Sequence, residues 1–226
     1  MTEMTDDLHP NYYPVFLDLR GKTTVVVGGG QVALRKIEAL LAAGAAVRVV
    51  APEIHPDIEG LEERGVLRIV RRPYRTGDLD DAALAIAATS SPEVNRFVSE
   101  EASRSNVLLN VVDAPDLSDL IVPSAIRRGD VTVAISTGGL SPALARHIRQ
   151  KLEETLVPEY GPFLRLLGSM RSRVRSELPL LQQREAFWTE VVDSDVFDLY
   201  RRDGEGIARG RIEEIMRQIR GVEESN

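Results

Sequence analysis

TTVVVGGGQVALRK, residues 23–36, joins a β-branched apolar run to three glycines and then to a helical pattern. This order predicts a strand, a tight turn and a helix. Gly28, Gly30 and Ala33 fit the form G-x-G-x-x-A of the dinucleotide-binding fingerprint. Gly28 permits the sharp turn, and Gly30 leaves room for a pyrophosphate at the positive end of the helix dipole. An ordinary glycine turn is the alternative interpretation.

An acidic residue follows the next apolar run. Val47–Val50 reads as a second strand, and Glu53 comes three residues after it. A carboxylate in this place accepts hydrogen bonds from ribose hydroxyls and repels a 2′-phosphate, so the sequence predicts NAD rather than NADP. A solvated loop carboxylate remains the alternative, because Pro52 makes the local backbone path hard to place.

Strand and helix patterns alternate through the first half of the chain. Ser91 and Pro92 are suited to the N-cap and first position of one helix, and Tyr13–Leu19 suggests a short strand or an anchor beside the first βα unit. The alternation predicts an α/β fold with a Rossmann-like, doubly wound parallel sheet. The predicted strands are 24–27, 47–50, 67–71, 84–88 and 107–112, and the predicted helices are 31–43, 55–64 and 92–103.

The pattern changes after residue 113. A strand at 131–135 precedes a helix that starts near Pro142, and the rest is helical. We predict an NAD-binding domain at 1–115, a small α+β dimerisation segment at 116–157 and a helical domain at 158–226. The middle segment is too short for its own core, so we expect burial of its apolar stripe, covered by a second copy of the chain in a homodimer. The stripe consists of Leu144, Ile148, Leu152 and Leu156.

Composition narrows the function classes. The net charge of -7 argues against nucleic acid or an anionic membrane as the main partner. No cysteine is present, so thiolate nucleophiles and disulfides are excluded. No leader and no run of about 20 apolar residues is apparent, so we expect a soluble, cytoplasmic protein. His9, His55 and His147 are scattered, so no metal-ligand motif, and likewise no P-loop or nucleophile elbow, is predicted.

Two positions are candidates for substrate chemistry. Asp113 stands at the end of a strand, where ligands of open α/β sheets bind, and its carboxylate could accept a proton. A turn aspartate that caps its own backbone is the alternative. The loop 136–142 has glycines and hydroxyls that could bind carboxylates. Within it Ser141 suits a helix cap, whereas Thr137 has no obvious structural duty.

A basic stretch runs between residues 143 and 175, where seven basic and three acidic residues occur. A solvated helix face is the plain interpretation. A surface for a polyanionic substrate is the alternative, because arginine binds carboxylates bidentately.

Residues 12–150 carry a more specific similarity. The segments YPVFLDLRGKTTVVVGGGQVALRK, AIAATSSPEVN and NVVDAPDLSDLIVPSAIRRGDVTVAISTGGLSPALAR occur in that order. Together they resemble the siroheme synthase family, most closely its precorrin-2 dehydrogenase and sirohydrochlorin ferrochelatase module. The helical remainder is similar in length and character.

The resemblance implies NAD-dependent oxidation of precorrin-2 to sirohydrochlorin and, in bifunctional members, insertion of ferrous iron as a substrate to give siroheme. It implies that Asp113 serves both reactions and that Thr137 stands where some members have a phosphorylatable serine. Without a methyltransferase domain, precorrin-2 is expected to come from another protein. The predicted cofactor contacts are Gly28, Gly29, Gly30, Gln31, Val32, Pro52, Glu53 and Thr89, and the predicted substrate contacts are Ser124, Thr137, Gly138 and Arg146.

Two alternatives stay open. The chain could be a dehydrogenase alone, with iron inserted by a separate chelatase, because no local motif encodes chelation. It could also be a non-catalytic NAD-sensing module that regulates a partner, since a Rossmann fold does not by itself imply catalysis.

Overall fold

A computed structural model describes residues 11–223, which form two compact units. The first unit holds the chain up to Val122 together with Thr137–Ser141. The second holds Pro123–Ser136 and the chain from Pro142 onward. The predicted division into three domains, at 115 and 157, stays a prediction.

The first unit is built on a five-stranded sheet in which every strand is parallel to its neighbours. The strand order is β3-β2-β1-β4-β5, so the chain moves outward from β1 first in one direction and then in the other. This confirms the predicted doubly wound sheet. The strands are β1 Thr23–Val27, β2 Ala46–Val50, β3 Leu67–Val70, β4 Leu84–Ala87 and β5 Leu108–Val111.

Helices cover both faces of this sheet. Alternation along β1 places Val26 in one core and Val25 and Val27 in the other, which explains why the strand is apolar throughout. The first core receives α1 Gln31–Ala42 and α2 Pro56–Glu63, and the second receives α3 Pro92–Ser105.

Local signals set the start of α3 as predicted. The Ser91 hydroxyl accepts a hydrogen bond from the Val94 N–H at 3.3 Å, and Pro92 is the first helical residue. This cap satisfies one of the N–H groups that a helix start leaves unpaired.

The strand predicted at Tyr13–Leu19 is wrong. The chain forms no strand there, and Tyr13 and Phe16 are exposed. Leu19 is the residue of this stretch that packs into the core of the first unit. Apolar composition alone indicated burial here, but a strand also needs a neighbour for its hydrogen bonds, and the described sheet ends at β3 and β5.

The second unit combines an antiparallel hairpin with helices. The hairpin pairs β6 Ser124–Arg128 with β7 Val131–Ile135. The helical core takes residues from the four helices that follow residue 159. The helices are α4 Pro142–Thr155, α5 Tyr160–Glu177, α6 Leu181–Asp193, α7 Val196–Asp203 and α8 Glu205–Glu223.

The α4 stripe is exposed in the single chain, so its predicted burial under a second copy of the chain stays a prediction. Leu144 is 50% exposed, Ile148 36% and Leu152 38%, whereas Ala145 is the residue of α4 that is buried. Period-four spacing identifies an apolar face but cannot tell whether this chain or another one covers it.

Candidate functional site

A cleft of about 830 Å³ lies at the carboxyl end of the sheet in the first unit. It surrounds the point where the strand order reverses between β2 and β4, which is where open α/β sheets bind ligands. The loops that follow all five strands line the cleft. The lining residues are Gly28–Val32 after β1, Ala51–His55 after β2, Pro73 and Tyr74 after β3, Ala88–Ser91 after β4, and Val112 and Asp113 after β5.

Nine of the predicted site residues line this one cleft. They are all eight predicted cofactor contacts and Asp113, although they come from four separate loops of the chain. The fold therefore brings residues that were predicted from separate parts of the sequence into one cleft. Their roles in binding and catalysis stay predictions.

The first two glycines are required by close backbone contacts. Gly28 has φ +123°, and a Cβ there would lie 2.4 Å from the Ala88 carbonyl oxygen. A Cβ on Gly29 would lie 2.2 Å from the Glu53 carbonyl oxygen, and the Gly29 carbonyl accepts a hydrogen bond from the His55 N–H at 2.8 Å. The turn after β1 is thus packed directly against the loops after β4 and β2.

Gly30 differs from its two neighbours. It has ordinary extended backbone angles, φ -89° and ψ -172°. Apart from Gly30 and its two chain neighbours, no heavy atom of the described chain lies within 4 Å of the position of its missing Cβ. Among the described residues, none caps α1 with a side chain, and its first turn contains no acidic residue. An open, uncapped helix start of this kind fits an anionic group such as a pyrophosphate.

Glu53 and His55 form the wall after β2. Glu53 is exposed, whereas His55 is half-buried and its Nδ1 accepts a hydrogen bond from the Asp57 N–H at 3.2 Å, which caps α2. His55 and Tyr74 also line the cleft, although neither was predicted as a site residue. The rule that ligands lie beyond strand ends could have found both, because each follows a predicted strand closely.

Thr89 lies in the wall after β4, where hydrogen bonds fix its side chain. Its hydroxyl lies 2.8 Å from Asn95 Oδ1 and accepts a hydrogen bond from the Ser91 N–H at 3.2 Å. The Asn95 side-chain amide donates in turn to the Thr89 carbonyl at 3.2 Å. Thr89 therefore holds the shape of the turn before α3 as well as lining the cleft.

Asp113 is exposed in the cleft with a left-handed backbone, φ 58°. Within residues 11–223 its carboxylate has no hydrogen-bond or ion-pair partner, so it does not cap its own backbone. The half-buried Lys36 of α1 interacts with it electrostatically. Burial lowers the pKa of Lys36, the charge of Arg35 lowers it further, and the Asp113 carboxylate offsets part of that effect.

The four predicted substrate contacts are not among the residues that line the cleft. Thr137 and Gly138 belong to the first unit, whereas Ser124 starts β6 and Arg146 is exposed on α4 in the second unit. Thr137 has a structural duty that the sequence did not reveal. Its hydroxyl accepts a hydrogen bond from the Ser141 N–H at 3.2 Å and donates to the Ser141 carbonyl at 3.0 Å, closing the loop before α4.

Part of the basic stretch forms ion pairs within the second unit. Arg149 pairs with Glu153 at 2.5 Å, and Arg173 pairs with both Glu177 and Glu213. These contacts support a solvated, ion-paired face for part of the stretch. Arg146 and Arg171 are exposed and, among the described residues, have no carboxylate within 4.0 Å.

From residue 11 to residue 223, no helix is both long and apolar enough to cross a membrane. In the same range, no group of three or more histidine and acidic side chains could hold a metal ion.

Family models match three consecutive parts of the chain. Residues 15–124 match a family described as putative NAD(P)-binding, 128–155 match the sirohaem biosynthesis protein central family, and 159–216 match the sirohaem synthase dimerisation region. The solved structure titled SirC, precorrin-2 dehydrogenase aligns with a TM-score of 0.75 and 30% identity, over 90% of this chain and 100% of that one. The chain belongs to the siroheme synthase family. The predicted resemblance and fold class are thereby confirmed.

Curated members of the siroheme synthase family are also similar in sequence. Siroheme synthase from Chromobacterium violaceum is 41% identical over 202 residues, 89% of this chain and 43% of that protein. Siroheme synthase from Pseudomonas aeruginosa strain UCBPP-PA14 is 43% identical over 186 residues, 82% of this chain and 40% of that protein. The chain thus spans less than half the length of these two relatives.

Proposed function

We propose that this chain oxidises precorrin-2 to sirohydrochlorin with NAD. The observation that carries the proposal is the cleft of the first unit, where the glycine turn and the unpartnered Asp113 carboxylate line one cavity. The similarity to a solved precorrin-2 dehydrogenase over the full length of that protein supports the choice of substrate.

The cleft has the features that NAD requires. The uncapped start of α1 at Gly30 would bind the pyrophosphate, with Gln31 and Val32 beside it. Glu53 would accept hydrogen bonds from the adenosine ribose, which favours NAD over NADP. Pro52 and Thr89 would contribute to the walls on either side.

The chain's part in the chemistry is to remove a proton. NAD, when bound, supplies a hydride acceptor, so each oxidation removes one hydride and one proton from the substrate. The Asp113 carboxylate is exposed and has no partner to displace among the described residues, so it can accept that proton as a general base.

We also propose that Asp113 serves insertion of ferrous iron, which enters as a substrate. Two pyrrole N–H protons must leave as the metal binds, and a free carboxylate in the cleft can accept them. A dehydrogenase without chelatase activity is the alternative. Ferrous iron added to sirohydrochlorin and the protein separates the two, because a chelatase accelerates siroheme formation over the protein-free control.

The four predicted substrate contacts and the basic helices complete the proposal. The substrate is a tetrapyrrole with several carboxylate side chains, and Arg146 is an exposed cation able to bind one of them. Ser124, Thr137 and Gly138 would supply hydroxyl and backbone donors.

A homodimer is proposed from the exposed apolar stripe on α4. Leu144, Ile148 and Leu152 are all at least 36% exposed in the single chain. A second copy packed on α4 would remove these apolar side chains from water. The match of residues 159–216 to a dimerisation region supports the same proposal. The predicted cytoplasmic location stays a prediction.

An anaerobic absorbance experiment tests the oxidation. Purified protein with precorrin-2 and NAD should form sirohydrochlorin and NADH faster than a protein-free control. A sensor that only binds NAD produces no NADH, and that result would replace the enzyme with the regulatory module.

Asp113→Asn then tests the base. Asparagine tolerates the left-handed backbone at this position but cannot accept the proton as a carboxylate does. The rate of oxidation should fall about 100-fold or more. Asp116→Asn, at an exposed acid in the following turn, is the matched control and should keep the wild-type rate. Equal rates for both variants would remove Asp113 from the mechanism.

A further inference from the structure

Lys36 has no role in the proposed function so far, although it lies near the cleft. It lies four residues after Val32 on α1, so it shares a helix face with a residue that lines the cleft. The side chain is half-buried, and within residues 11–223 its ammonium has no hydrogen bond and no ion pair. Burial removes part of the water around this ammonium, and no described group replaces that water by direct contact.

The Asp113 carboxylate is an opposite charge that acts on Lys36. The two groups interact electrostatically but lie more than 4.0 Å apart. They therefore do not neutralise each other by contact, and both remain able to bind a ligand.

The charge of the cleft explains why such a cation is needed. Among the described residues that line it, none is lysine or arginine, whereas Glu53 and Asp113 are both acidic. A polycarboxylate substrate would be repelled by these two carboxylates unless a neighbouring cation compensates. Lys36 can supply this positive charge, because it interacts electrostatically with Asp113.

We propose that Lys36 binds a carboxylate of the tetrapyrrole substrate and so positions the substrate against Asp113. This inference rests on the proposed dehydrogenase function and deepens it. Lys36 is here a substrate-binding residue, while proton removal remains with Asp113.

The geometry favours the substrate, and not the cofactor, as the molecule whose anionic group binds Lys36. The pyrophosphate site lies at the start of α1, and Lys36 is about 7.5 Å further along the helix axis at 1.5 Å per residue. Glu53 follows β2, whereas Asp113 follows β5, on the opposite side of β1. Lys36 interacts with Asp113 and not with Glu53, the predicted ribose contact. A bound carboxylate would also offset the effect of burial, which lowers the pKa of Lys36.

Steady-state kinetics of the full chain with precorrin-2 and NAD test the inference. Lys36→Gln should raise KM for precorrin-2 about 10-fold or more, the loss expected for one charge-assisted hydrogen bond, and leave KM for NAD within about twofold. Lys36→Arg keeps the charge and should restore most of the affinity. Arg35→Gln removes one charge from the exposed neighbouring position and should behave as wild type.

Two results would overturn the assignment. An unchanged KM for precorrin-2 in Lys36→Gln would remove Lys36 from substrate binding. A rise in KM for NAD of the same size would place the pyrophosphate, and not the substrate, at Lys36.

Direct binding separates this inference from the proposed function. If wild-type protein forms no NADH from precorrin-2, the proposed function fails, and titration with sirohydrochlorin followed by absorbance still tests Lys36. Weaker binding by Lys36→Gln than by Arg35→Gln would support the carboxylate site, and equal binding would reject it.

Discussion

Gly30→Ala should weaken NAD binding without unfolding the protein. Apart from its two chain neighbours, no residue of the described chain has a heavy atom within 4 Å of the new Cβ, and φ -89° is allowed for alanine. Alanine is a poorer N-cap than glycine by about 0.5–1 kcal/mol, but it restricts the unfolded chain by a similar amount. The net change in the free energy of unfolding should stay below about 1 kcal/mol, equivalent to less than about 4 °C in Tm.

The same methyl group would occupy space that the pyrophosphate needs. If it prevents one charge-assisted hydrogen bond from the start of α1, the loss is about 1.5–3 kcal/mol, or about 10- to 100-fold in Kd for NAD. Gly30→Ala should therefore lose affinity for NAD while keeping most of its stability.

Gly28→Ala is the matched contrast, two residues earlier in the same turn. It combines a left-handed φ of +123° with a Cβ 2.4 Å from the Ala88 carbonyl oxygen. Backbone strain of about 1–3 kcal/mol and overpacking of about 1–3 kcal/mol predict a loss of about 2–6 kcal/mol. That is a large share of the typical stability of a folded domain.

Thermal unfolding and calorimetric titration with NAD measure both effects. The expected pattern is a near-normal Tm with weak binding for Gly30→Ala and a strongly lowered Tm for Gly28→Ala. Wild-type affinity in a folded Gly30→Ala protein would refute the placement of the pyrophosphate at this helix start.

Three further predictions follow from other parts of the chain. Glu53→Gln should lower the ratio of kcat/KM for NAD to that for NADP about 10-fold, measured with both cofactors, because the repulsion of a 2′-phosphate is lost; an unchanged ratio would make Glu53 a solvated loop residue. Ile148→Glu should convert the proposed dimer to monomer by placing a charge on the α4 stripe, as measured by light scattering, with the exposed Gln150→Glu as control; a persistent dimer would exclude this face as the interface. Asp78→Asn should reduce stability by about 1 kcal/mol at pH 7, because the Asp78 carboxylate accepts hydrogen bonds from Arg72 at 2.7 and 2.6 Å and from the Arg75 N–H at 2.8 Å. Burial raises the pKa of Asp78, but these bonds outweigh it and hold that pKa below its ordinary value of 3.8, so the stabilisation is present above pH 3.8 and is lost as the pH falls through the folded-state pKa. The difference between wild type and Asp78→Asn, followed by urea unfolding, should therefore shrink in acid; a constant difference would mean that the carboxylate charge does not matter.

Local patterns were sufficient for most elements of the first unit. The strand predicted at 47–50 is observed at Ala46–Val50, and the helix predicted at 92–103 is observed at Pro92–Ser105. These elements depend on side-chain alternation and on caps, which involve residues close in sequence. Asp113 was also a candidate from sequence, because its position after a strand is a local property.

Contacts between distant segments were not predictable in the same way. Lys36 and Asp113 interact only because the fold brings α1 near the residue that follows β5. Thr137 gave no sign of its hydrogen bonds to Ser141, because a hydroxyl in a glycine loop has many possible partners. The α4 stripe was identified correctly as apolar, but the spacing of its residues does not show what packs against it.

The sequence by itself determined the succession of strands and helices along the chain, the glycine turn and the family, because each depends on residues that are close together in the sequence. The tertiary structure alone decided which side chains share the cleft and which apolar faces remain exposed. The physical reason is that alternation, caps and turns act over a few residues, whereas a binding site needs strand ends that are far apart in the chain to meet in space.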